Sequence, residues 1–217
     1  TVCLFIPIVG PIVLLGYEIE LIQGWLKRPG QPHEKLDFGR FMDYLKRGVW
    51  PFVAALIGQL IAVPLTMLFM IPFFCLFFGS SAFLGDSDTE ALGVLCMIFS
   101  FVLLFVGVIL VNVLTMCFLT PMMIGAGLAG EVGPAVDFGY IKDFIAKTWK
   151  EMIKAYLLYM VVGMFLSMLG YCALFVGLYF VMAWMAISWA HLQFQAYSLY
   201  LARGGKPIQP KPEMAGY

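Results

Sequence analysis

The chain has 217 residues, 62% hydrophobic and 12% charged, and its 13 basic and 13 acidic side chains cancel to a formal net charge of zero. A soluble domain is nearer half apolar and a quarter charged, so this chain cannot cover its own core with polar surface, and lipid is the solvent that fits. Charge balance also excludes a basic surface suited to nucleic acid.

In chain order, the first apolar stretch covers residues 3–26. Thr1 opens inside an apolar run, so residues upstream of it are expected. The stretch has no basic n-region followed by a small-residue cleavage site, which argues against a signal peptide. Pro7 and Pro11 leave a bent or re-entrant course open beside a full crossing. Further apolar stretches follow at 49–79, 91–128, 151–170 and 173–201. About 20 helical residues span a bilayer core, so about five crossings are expected. The second and third stretches exceed a perpendicular span, and Pro64, Pro72 and Pro121 are natural kink sites. A turn near Gly170, with Gly177 as the alternative, must divide the last two stretches, because one helix over 150–200 would be about 75 Å long. The tail, 204–217, is Gly/Pro-rich and expected to be extended.

All thirteen basic residues fall into three groups. Lys27, Arg28, Lys35, Arg40, Lys46 and Arg47 follow the first stretch. Lys142, Lys147, Lys150 and Lys154 follow the third, and Arg203, Lys206 and Lys211 lie in the tail. The alternate connections hold only Asp86, Asp88 and Glu90, or no charge. Lys and Arg accumulate on the cytoplasmic side of short membrane loops, which puts these segments and the C-terminus in the cytoplasm.

Two of the basic segments share a phrase, LDFGRFMDYLKRGVW at 36–50 and VDFGYIKDFIAKTW at 136–149. Asp37 and Asp137 suit a helix N-cap, followed by Gly39 and Gly139. Phe38, Phe41, Leu45 and Val49 share one helical face, as do Phe138, Ile141, Ile145 and Trp149. An amphipathic helix of this kind lies in the membrane interface, and Trp50 and Trp149 suit the headgroup level. The phrase reads as an interfacial elbow leading into a crossing. Its recurrence implies a parallel internal repeat, 1–79 and 91–172, with a last helix at 173–203, all within one transmembrane domain, 1–203. The fold class is an all-α, polytopic membrane bundle.

The segments IPIVGPIVLLGYEIELIQGWLKRPGQP and LDFGRFMDYLKRGVWPFVAAL resemble the opening of the membrane-protein family catalogued as domain of unknown function 4013. VDFGYIKDFIAKTW and the later AHLQFQAYSLYLA are similar to its second half. The resemblance implies a multi-pass inner-membrane protein of a bacterium or archaeon. It carries over no catalytic residue.

Polar side chains within apolar spans are the candidate site: Gln59, Asn112, Thr115, Ser188, His191 and Gln195, with Gln193 beside them. Glu18, Glu20 and Gln23 near the end of the first stretch could join them in a small cavity, but helix-end hydrogen bonding is the favoured reading. His191 could ligate a haem or other pigment, although an ordinary hydrogen-bonded histidine is the favoured reading, and the other histidine, His33, sits in a loop. Gly163, Ser167, Gly170 and Gly177 form a small-residue face for helix packing or partner docking. The five cysteines lie in apolar runs without CxxC spacing and read as buried hydrophobes rather than metal ligands or disulfides. No GxSxG, HExxH or P-loop occurs.

These features point to a non-enzymatic accessory subunit of a larger membrane complex, in contact with lipid and other membrane subunits. A small-solute transporter or channel is the first alternative, and a lipid-handling module the second. No cofactor is expected beyond bound lipid, with a pigment as the exception that His191 leaves open.

Overall fold

The computed structural model describes residues 9–28, 36–83, 89–172 and 176–209. Cys3, Pro7, His33, Lys35, Asp86, Asp88 and Lys211 lie outside the described residues, as does the tail from 210 onward. Among the described residues the fold is all helical: α1 (Val9–Lys27), α2 (Phe41–Ser80), α3 (Glu90–Ala129), the single turn α4 (Gly133–Val136), α5 (Phe138–Cys172) and α6 (Val176–Ala202). In lipid every backbone polar group must be satisfied within the segment, which long helices achieve.

Among the described residues, four helices, α1, α2, α3 and α5, are long and apolar enough to cross a membrane. The protein is therefore a polytopic helical membrane protein. Of the about five crossings expected, these four meet that measure, and the fifth expected stretch is α6, which returns along α5. The fifth stretch, α6, has 27 residues and no Lys, Arg, Asp or Glu, but its Trp, Tyr, His, Gln and Ser residues dilute the apolar run. It runs antiparallel to α5: Tyr159 faces Met185, Tyr156 faces Trp189, and Asp143 faces Tyr200. The turn between them falls between the two candidate glycines, since α5 ends at Cys172 and α6 starts at Val176.

Two expectations change. The elbows are not separate helices. A 3-10 turn at Phe38–Arg40 runs directly into α2, and the second copy is the start of α5. Between Tyr140 and Gly163 α5 contains neither glycine nor proline, so nothing stops the helix. Pro64 and Pro72 lie within α2, and Pro121 within α3. Of the cysteines, Cys117 is buried, but Cys75 and Cys172 are exposed thiols.

The chain falls into two compact units, Thr1–Leu56 with Cys117–Tyr217, and Ile57–Met116. In the first, Val13, Tyr17 and Leu21 of α1 pack on Tyr44 of α2. The two helices cross at Gly16 and Gly48. A Cβ on Gly16 would run into the Tyr44 carbonyl, and one on Gly48 into the Ile12 carbonyl, so only glycine permits this approach. The last turns of α3, from Leu119 to Ala129, are buried all round, and Gly127 leaves room for the Ile19 side chain. On α5, Gly163 faces Met185 and Gly170 faces Leu178 of α6. Two of the small-residue positions are thus used for packing inside the chain.

In the second unit, Gly107 seats the Phe69 ring, and Phe73 stacks on Phe77 and meets Phe101 edge-on. Its outer surface is apolar, with Leu60 74% and Phe105 66% exposed, whereas Ser80 and Ser100 are buried and donate to carbonyls of their own helices. Polar groups inside and large apolar groups outside are the arrangement that lipid favours.

Candidate functional site

The repeated phrase builds the same cap twice. Asp37 Oδ1 accepts the Gly39 N–H at 2.8 Å. Asp137 Oδ1 accepts Gly139 N–H at 2.8 Å and Tyr140 N–H at 3.2 Å. A Cβ on Gly39 or Gly139 would stand 3.2 or 3.1 Å from the capping oxygen, so glycine two residues after Asp leaves the carboxylate its room.

Beyond the caps the copies diverge. At the first, Glu20 of α1 accepts from Arg40 Nη1 and Nη2 at 2.7 and 3.0 Å, and from Arg47 Nη1 at 3.0 Å. Arg47, a buried residue, enters the core with this carboxylate as counter-charge. At the second, Asp143 accepts from Lys147 at 2.7 Å and from the Tyr200 hydroxyl of α6 at 3.1 Å. Arg203 then grips Glu151 through both Nη atoms, at 3.0 and 2.5 Å, and also donates to the Lys147 carbonyl. The Glu151 carboxylate raises the Arg203 pKa above its ordinary value. Gly204 ends α6 at φ 76°, with Gly205 N–H returning to the Tyr200 carbonyl, and Lys206 and Ile208 N–H groups donate to the Tyr200 and Tyr197 hydroxyls.

Phe38, Phe138, Val49, Trp50 and Trp149 are exposed, while Phe41 is half-buried. The protein-facing stripe is Tyr44, Arg47, Gly48 and Pro51 in the first copy, and Ile141, Phe144, Thr148 and Met152 in the second. Ile141 is thus the one residue of the expected outer face that turns fully inward.

The polar candidates do not form one constellation. Gln59 and Asn112 are exposed, Thr115 and Ser188 are half-buried, and Asn112 Nδ2 donates to the Val108 carbonyl of its own helix. No described residue bonds to the Gln59 amide. His191 is exposed, lies 3.0 Å from Gln195 Nε2 and stacks edge-on with Trp25 of α1. Sequence reasoning undervalued two groups. Glu18 is 5% exposed, and no described residue bonds its Oε2. Gln193 is 1% exposed, and no described residue bonds either end of its amide. Among the described residues, no group of three or more His, Cys, Asp or Glu is placed to hold a metal ion.

A groove of about 330 Å³ opens between α5 and α6. Met152, Ala155, Tyr156, Leu192 and Leu199 line it, with the exposed Glu151 and Gln195 at its rim. Thr120 of α3 hydrogen-bonds the Tyr156 hydroxyl behind it.

The sequence profile of the family described as protein of unknown function (DUF4013) matches residues 1–176. The chain belongs to this family. The match covers both caps and the Glu20 clamp of this DUF4013 protein, and stops where α6 begins. AHLQFQAYSLYLA, Tyr200 and Arg203 therefore lie beyond it. Comparison with curated proteins found no match, and comparison with solved structures found none.

Proposed function

We propose that this protein is a non-enzymatic accessory subunit whose α2–α3 hairpin docks against a transmembrane helix of another protein. One observation carries the reading: Gln59 is exposed on an apolar helix, and no described residue bonds its amide. It stands nine residues beyond Trp50, about 13 Å along an α-helix, close to mid-depth in a core about 30 Å thick. At that depth the side chain is too short to reach the headgroups. Leaving an amide unbonded in hydrocarbon costs several kcal/mol. A polar side chain on a neighbouring helix removes that cost and contributes about 0.6–2 kcal/mol to association. Asn112, also exposed in the same unit, offers a second outward amide oxygen.

The same reading places both capped segments and the C-terminus on the cytoplasmic side of a bacterial or archaeal inner membrane, because the basic residues gather there. The test is a photo-crosslinking amino acid at position 59, activated in living cells. Adducts with a membrane protein of defined mass support docking, and adducts with lipid alone contradict it.

A second reading, passage of a small polar solute, draws on Glu18 and Gln193, whose buried polar atoms call for a water or solute partner. It predicts that Glu18→Gln with Gln193→Leu abolishes flux in vesicles while the fold persists. Unchanged flux removes it.

A further inference from the structure

We propose that the α5–α6 groove binds one anionic phospholipid, with an acyl chain along the groove and the phosphate beside Lys154 and Arg203. The groove, at about 330 Å³, is at the small end of ligand sites. An α-helix with its side chains is about 10 Å across, too wide to enter, whereas a single hydrocarbon chain fits. Its polarity is one-sided. The lining by Met152, Ala155, Leu192 and Leu199 is apolar, and the charge sits at the rim, where Glu151 already holds Arg203. An amphipath has the same one-ended polarity.

The charge at that rim selects the headgroup. Arg203 neutralises Glu151, and Lys154 lies near enough to act on the same carboxylate. Lys150 rests over the Trp149 ring, 5.6 Å from its centroid. Two lysines therefore remain as excess positive charge at the level where Trp149 and the basic residues place the headgroups. The described part of the C-terminal segment lies elsewhere, because Lys206 and Ile208 are fixed to the Tyr200 and Tyr197 hydroxyls, neither of which lines the groove.

The experiment is native mass spectrometry of the full chain in mild detergent, titrated with phosphatidylglycerol or phosphatidylcholine. The wild type is expected to retain one phosphatidylglycerol in preference to phosphatidylcholine. Lys154→Gln should reduce that preference about fivefold, the weight of one cation near the headgroups. Ala155→Trp, which fills the groove, should abolish retention of both lipids, and Leu199→Phe serves the same purpose with less bulk. Thermal unfolding checks that each variant is folded. Three results overturn the proposal: no retained lipid on the wild type, equal retention by a folded groove-filling variant, or a Lys154→Gln protein that keeps its full preference for the anionic lipid.

Discussion

Glu20 is the side chain whose loss the structure makes most damaging. Its carboxylate binds Arg40 at 2.7 Å and Arg47 at 3.0 Å, but the two guanidinium groups sit in different surroundings, 24% and 3% exposed. Breaking a buried ion pair costs about 3–5 kcal/mol, whereas an exposed pair contributes about 1 kcal/mol or less. Glu20 keeps 15% of its side-chain exposure, so the lower end applies. Glu20→Leu should cost about 3 kcal/mol, and Arg40→Leu under about 1 kcal/mol. Glu20→Leu combined with Arg47→Met should recover most of the loss, since well-packed apolar replacements of buried pairs are often neutral. The assay is unfolding in mixed micelles titrated with dodecyl sulfate, followed by tryptophan fluorescence, with the variants arranged as a double-mutant cycle. Equal small losses for Glu20→Leu and Arg40→Leu, or additive losses in the Glu20–Arg47 cycle, would refute the reasoning.

Gly48→Ala drives a methyl into the Ile12 carbonyl of the facing helix and should cost roughly 1–3 kcal/mol. Gly24→Ala meets nothing within 4 Å and should stabilise by up to about 1 kcal/mol, so the same titration separates crossing geometry from glycine content. Asp137→Ala removes the carboxylate that caps α5 and should cost about 1 kcal/mol, readable by faster amide exchange at Gly139 and Tyr140. At φ 76° Gly204→Ala should cost about 1–2 kcal/mol and loosen the Lys206 and Ile208 contacts, measurable by exchange at those two amides.

The architecture was legible because lipid makes it so. Long uncharged runs and clustered basic residues locate helices, and within the described residues the expected stretches agree with α1, α2, α3, α5 and α6 to within a few residues except where the elbows merge into α2 and α5. The caps were legible too, since Asp followed two residues later by Gly is a local pattern with a local cause. What the sequence hid depends on tertiary neighbours. Periodicity cannot say whether Phe38 or Tyr44 turns toward the protein when lipid accepts apolar residues as readily as a core does. Nor can it show that Arg47 finds Glu20, which lies 27 positions away. Glu18 and Gln193 look like polar helix ends until burial separates them from Gln59 and Asn112, which face outward. Pro64, Pro72 and Pro121 lie inside the continuous helices α2 and α3. A proline in lipid can stay within a helix, because neighbouring groups satisfy the carbonyl it frees.

The central claim, that the outward Gln59 marks a docking face for another membrane protein, is tested most directly by mass. The full chain would be extracted in mild detergent beside a Gln59→Leu variant, and the intact particles weighed. The account predicts that the wild type comes out with a second membrane protein in fixed stoichiometry, and that Gln59→Leu releases it while remaining folded. A wild-type protein recovered alone, with the same mass as the variant, would contradict it.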